Sequence, residues 1–130
     1  MDTFLLSLGW WNFVGSIFMF CLLNEQLGKK ILNDSTHFFI TEYKLDYWSK
    51  FWLFWAIGLN IFFGLINIYA AKWDFEELKI FLISVDLVAY ILFLGLAIWG
   101  LLAKKCGSGI YSVFVVFGFW IGWGIWVFCS

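Results

Sequence analysis

The sequence contains no proline and no arginine, only one histidine, and few charged residues of either sign. Charged residues make up 13% of the 130 positions and hydrophobic residues 64%, whereas a soluble domain is about half apolar and about a quarter charged. A soluble globule of this size cannot bury so much apolar surface, and intrinsic disorder requires low hydrophobicity. The composition therefore indicates an integral membrane protein.

Each scarce residue type argues against a class of function. Eight lysines without arginine, at a formal net charge of -1, do not form the basic surface of a nucleic-acid binder. The single histidine, His37, and the lack of a Cys-x-x-Cys motif disfavour haem, zinc and thiol redox chemistry, so we expect no cofactor and no metal. Without proline, no Pro-broken helix of the transporter type is signalled.

Four apolar segments are long enough to cross a bilayer, which requires about 20 residues for about 30 Å of hydrocarbon. Backbone groups in lipid must be satisfied internally, and these runs are too long and too uniform for barrel strands. We therefore predict an all-α, polytopic integral membrane protein: an antiparallel four-helix transmembrane bundle forming one membrane domain over residues 1–130. The predicted spans are residues 4–23, 51–71, 80–102 and 110–128.

The first span differs from a signal peptide, because Asp2 replaces the usual positive charge and no small-residue cleavage site follows. We expect it to be retained. Four spans place both termini on one face of the membrane, here called side A, together with the connection between the second and third spans. The opposite face, side B, holds loops 24–50 and 103–109.

Lysines are distributed unequally between the two sides. Side A carries only Lys72 and Lys79. The side B lysines are Lys29, Lys30, Lys44, Lys50, Lys104 and Lys105. Because lysine-rich loops stay in the cytoplasm, we predict that side B is cytoplasmic and that both termini lie outside.

Loop 24–50 is predicted to be amphipathic and interfacial. Leu23, Leu27 and Ile31 are spaced as on one helical face, which predicts that the first helix continues past the membrane to a stop at residues 33–35. Residues 37–40 are expected to enter the interface, and residues 42–50 to begin the second helix early. The loop serves either as a surface connector or as a docking surface for a cytoplasmic partner.

Polar side chains in three spans fall in the same half of the membrane, near side A. Asp86 lies about 9 Å into the third span, and an acid at membrane depth is functional by default. The amides have a plainer interpretation as hydrogen-bonded contacts between helices. The predicted polar membrane site comprises Asp86, Asn12, Asn60, Asn67, Tyr90 and Ser16.

Small residues predict where helices approach closely. Gly9 and Gly64 share helical faces with the polar residues of their spans. In the fourth span, Gly118 and Gly122 have G-x-x-x-G spacing, which permits packing on the first helix of the same chain or on a second copy.

The spans contain no visible nucleophile–base pair, carboxylate pair or metal-ligand set, so no catalytic residue is assigned. We predict a non-enzymatic membrane protein that binds a lipid or other apolar ligand, or that acts as an accessory subunit of a membrane complex. One alternative is a small transporter or channel that uses Asp86 for proton or cation coupling. Another is a lipid-modifying enzyme. The expected partners are membrane lipids, a second copy, or a larger membrane complex.

Overall fold

A computed structural model describes residues 1–32 and 43–130 of the protein. The described residues form five α-helices and no β-strand. The helices are α1 (Asp2–Cys21), α2 (Glu25–Leu32), α3 (Tyr47–Ala71), α4 (Glu76–Leu102) and α5 (Ile110–Cys129). Four of them, α1, α3, α4 and α5, are long and apolar enough to cross a membrane. The all-helical class is therefore confirmed, and each of the four predicted spans corresponds to one of these long apolar helices, with shifts of a few residues at the helix ends.

The predicted continuation of the first helix into loop 24–50 is wrong. α1 ends at Cys21, and after a tight turn a separate amphipathic helix, α2, begins at Glu25. The break occurs because Asn24 caps the new helix, with its side-chain Oδ1 accepting a hydrogen bond from the Leu27 amide over 3.1 Å. The predicted stop at 33–35 and interfacial segment at 37–40, with His37, lie outside the described residues.

Tyr43 fastens the segment before α3 to the turn between α1 and α2. Its hydroxyl donates a hydrogen bond to the Leu22 carbonyl, and its ring lies so close to Gly28 that a Cβ there would come within 2.6 Å. Burial, with a smaller contribution from Glu25, raises the pKa of Tyr43. The end of α1 and the approach to α3 are thereby held together at side B.

α3 begins at a well-formed cap. Asp46 accepts a hydrogen bond from the Ser49 amide over 2.7 Å, as expected for an N-cap residue. This interaction with Ser49 lowers the pKa of Asp46. Of the predicted early start over 42–50, the structure places residues 47–50 in the helix and residues 43–46 before it.

The long helices pack mainly as two pairs, α1 with α3 and α4 with α5. α1 and α3 run in opposite directions, because Gly9 lies against Ile68 whereas Gly15 faces Asn60. The approach at Gly9 is very close: a Cβ there would lie 2.8 Å from the Gly64 carbonyl oxygen. Glycine is required at this crossing because any side chain would push the two backbones apart.

The two pairs meet in their side A halves. The Phe4 ring of α1 makes edge contacts with the α5 rings of Trp120 and Trp123, at centroid distances of 6.0 and 5.3 Å. The side chains of Phe4 and of Leu87 in α4 pack against Gly124. The buried hydrophobic cluster around these contacts comprises Phe4, Leu5, Leu8, Ala70, Leu82, Ile83 and Trp120. The core therefore lies near side A.

The glycine positions on α5 behave differently from one another. A Cβ at Gly118 or Gly122 would meet nothing within 4 Å, so this face of α5 packs on no other helix in the described part of the chain. The close contact falls at Gly124 instead, because that residue points toward α1 and α4. Packing of Gly118 and Gly122 on the first helix, one of two options in the sequence, is thus not found. Their contact with a second copy stays a prediction.

Candidate functional site: a buried polar cluster and an apolar groove

Four of the predicted polar residues are joined across helices by two hydrogen bonds. We call them the polar cluster: Asn12, Asn67, Asp86 and Tyr90. α1 supplies Asn12, α3 supplies Asn67, and α4 supplies Asp86 and Tyr90.

The central contact of the cluster joins α3 to α4. The Asn67 side-chain amide donates a hydrogen bond to Asp86 Oδ2 over 2.9 Å. Asn67 is fully buried and Asp86 is 5% exposed. Breaking a hydrogen bond between two buried polar groups leaves each of them unsatisfied, which costs free energy. The two helix pairs are therefore joined at this depth by a polar contact.

Asn67 retains an unused hydrogen-bonding atom. Its Oδ1 is buried and accepts no hydrogen bond from any residue in the described part of the chain. A buried acceptor without a donor costs free energy, so natural proteins rarely leave one. Beside the Asp86 carboxylate, this oxygen provides an acceptor for a water molecule, a proton-bearing group or a cation.

Asn12 and Tyr90 connect α1 to α4 within the cluster. The Tyr90 hydroxyl donates a long hydrogen bond of 3.5 Å to Asn12 Oδ1. Ser16 uses its hydroxyl within α1, donating to the Asn12 carbonyl oxygen over 2.9 Å. Asn12 thus links α1 to α4. The predicted site residue Ser16 bonds only within its own helix and, next to the contact of Gly15 with Asn60, lies outside the polar cluster.

Asn60 is not part of the polar cluster. Its amide donates to the Ala56 carbonyl oxygen of α3 over 2.9 Å, and its side chain faces Gly15. Seven residues separate Asn60 from Asn67, which is about 10 Å along a helix. Asn60 and Asn67 lie on the same face of α3, but they do not belong to the same site, because Asn60 lies at a different depth.

An ion pair between Asp2 and Lys79 was not anticipated from the sequence. Lys79 Nζ lies 2.6 Å from Asp2 Oδ1, joining the first turn of α1 to the first turn of α4. Lys79 is buried, whereas the Asp2 side chain is mostly exposed. The sequence did contain one indication of this pair, because Asp2 and Lys79 carry opposite charges at the side A ends of the first and third spans.

A separate apolar groove lies on α3, away from the polar cluster. We call it the α3 groove; its lining residues are Tyr47, Lys50, Phe51, Phe54, Trp55, Gly58 and Leu59. They recur at helical spacing on one side of α3, and the groove has a volume of about 610 Å³. The buried residues of α3 are Gly64, Asn67 and Ala70, so the groove occupies the half that faces away from the core.

The two regions have different chemistry. The polar cluster offers a carboxylate, amides and a phenol in an enclosed setting, which suits proton exchange or the holding of a small polar species. The α3 groove offers aromatic and aliphatic surface with one lysine at its side B end, which suits an amphipathic ligand. Comparison with protein-family models, with curated proteins and with solved structures finds no match to this chain.

Proposed function

We propose that this protein is a non-enzymatic, multi-pass membrane protein, an antiparallel four-helix transmembrane bundle, that binds a membrane lipid in the α3 groove. The groove itself carries the proposal. Its volume of about 610 Å³ falls in the range of about 300–1,000 Å³ that is typical of ligand pockets, which combine apolar walls with a few polar groups.

Supporting this proposal, Gly58 leaves the groove open. A Cβ at Gly58 would meet nothing within 4 Å, while the neighbouring Phe54 and Trp55 are large and exposed. A bulky side chain at this position would fill the space that an acyl chain would otherwise occupy, and its Cβ would have open space around it.

Retained lipid in the purified full chain tests the proposal. We expect Gly58→Phe to lower the amount of lipid that co-purifies per protein, measured by lipid extraction and mass spectrometry. Gly95→Phe is the matched control, because Gly95 is also open on a long helix but lies outside the groove. Equal lipid in both variants and the parent chain, or no lipid in the parent chain, would refute binding in the groove.

For the orientation, we propose that side B is cytoplasmic and that both termini lie outside, supported by six lysines on side B against two on side A. Cys129 is exposed at the side A end of α5. In a Cys21→Ser/Cys106→Ser variant on intact cells, we expect a membrane-impermeant maleimide to label Cys129. Labelling that requires permeabilised membranes would reverse the orientation.

A second candidate function is proton or cation coupling at Asp86. The unpaired Asn67 Oδ1 next to a buried carboxylate favours it. Asp86→Asn in proteoliposomes should abolish proton or cation flux driven by an imposed gradient, while Asp74→Asn, outside the helices, should not. Flux that is unchanged in Asp86→Asn, or absent from the parent chain, would eliminate this function.

A further inference from the structure

We infer that the ligand of the α3 groove is an anionic phospholipid from the side B leaflet, with its headgroup against Lys50 and an acyl chain along α3. This inference rests on the proposed function and adds the headgroup charge and the leaflet. It follows from the length of the groove, the position of Lys50 as the one cation among its described lining residues, and the chemistry of its walls.

The groove has the length of one leaflet. From Tyr47 to Leu59 the helix rises about 18 Å at 1.5 Å per residue. Half of the hydrocarbon core is about 15 Å. A lipid whose headgroup lies at the start of α3 would therefore have its acyl chain beside the groove down to the middle of the bilayer.

The polar end of the groove carries a positive charge. Lys50 lies on the first turn of α3, at the side B end of the helix, and Tyr47 lies beside it on the same face. The ion pairs in the described part of the chain involve Lys29 and Lys79, so the Lys50 ammonium has no protein carboxylate bound to it there. It is available to a lipid phosphate.

Asp46, one helical turn before Lys50, forms no ion pair with it in the described part of the chain. Its carboxylate is directed to the start of α3, where it accepts the Ser49 amide hydrogen bond. Farther along the groove the lining is aromatic or aliphatic, including Phe51, Phe54 and Leu59. A charged end and an apolar remainder match a headgroup and a chain in the order in which a leaflet presents them.

The proposed orientation agrees with this ligand class. Side B is the lysine-rich side, and the cytoplasmic leaflet is the one that carries anionic lipids in many membranes. A basic residue near that surface contributes about 1 kcal/mol of attraction, which corresponds to about a fivefold preference for an anionic over a zwitterionic headgroup.

Competition between two lipids tests the inference. The purified full chain is incubated in detergent with equimolar phosphatidylglycerol and phosphatidylcholine, and bound lipid is counted by native mass spectrometry. We expect the parent chain to hold phosphatidylglycerol over phosphatidylcholine by about fivefold. Lys50→Gln should bind both equally, while Lys72→Gln, a lysine on side A, should keep the preference.

Failure of this inference is distinguishable from failure of the proposed function. If the parent chain shows no preference, or Lys50→Gln retains it, the headgroup assignment is wrong. Lipid counts that still fall in Gly58→Phe would then leave groove binding standing. If no lipid binds, or if Gly58→Phe binds as much as Gly95→Phe, both the inference and the proposed function are overturned. Circular dichroism of each variant verifies that the helices are intact.

Discussion

The crossing of α1 and α3 at Gly9 provides the sharpest test of the packing. In Gly9→Ala the new Cβ would lie 2.7 Å from Ile68 Cγ1 and 2.8 Å from the Gly64 carbonyl oxygen. Carbon atoms pack best at about 3.5–4.0 Å, so the deficit is about 1 Å. The Ile68 side chain can rotate, but the Gly64 carbonyl is backbone, so the two helices must separate.

Separation of the helices weakens every contact along their interface, because a gap of about 0.5–1 Å already forfeits a quarter to a half of the dispersion energy of each contact. Overpacking of this kind typically costs about 1–3 kcal/mol. Gly95→Ala is the matched control: it introduces the same methyl group in a long helix where nothing lies within 4 Å. The gain in helix propensity is common to both variants and cancels in their difference.

We therefore expect the free energy of unfolding of Gly9→Ala to lie about 1–3 kcal/mol below that of Gly95→Ala. The measurement is reversible unfolding in mixed micelles, with increasing dodecyl sulfate, followed by circular dichroism and tryptophan fluorescence. Two variants of equal stability would refute the close crossing at Gly9 and with it the pairing of α1 and α3.

Two further predictions concern the polar contacts. A double-mutant cycle of Asn67→Ala and Asp86→Ala should give a coupling energy of about 0.6 kcal/mol, and at most about 1.7, the range measured between membrane helices; additive effects would mean that the two side chains do not bond. Asp46→Ala should lower the free energy of unfolding near pH 6. Because the bound form of this carboxyl has a lowered pKa, its stabilisation is complete above the pKa of the unfolded chain and is lost as the pH falls through the folded-state pKa. The difference between Asp46→Ala and the parent chain should therefore shrink as the pH falls below 3.8, the ordinary pKa of this carboxyl, and a constant difference would show that the charge of the cap is unimportant.

The long apolar helices were predictable from the sequence because the ability of a segment to cross a bilayer depends on the summed hydropathy of its own residues. About 20 apolar residues stabilise a span whatever its neighbours are, so the four segments were located to within a few residues. The stripe of Asn12 and Ser16 was equally accessible, since 3.6 residues per turn places them on one face of α1. Counting inward from side A also predicted that Asn12, Asn67 and Asp86 come from three helices at similar depth.

Pairing between helices depends on rotation and depth, which hydropathy does not encode. Asn60 and Asn67 lie on the same face of the same span, yet only Asn67 reaches Asp86, because α3 and α4 approach each other near side A.

In the same way, Gly118 and Gly122 have the G-x-x-x-G spacing that favours close helix contact, but the rotation of α5 turns Gly124 toward α1. The ion pair of Asp2 and Lys79, separated by 77 positions, likewise forms only once α1 and α4 lie side by side. Composition and periodicity determined which segments form helices long and apolar enough to cross a membrane, and side-chain packing decided which of their faces meet.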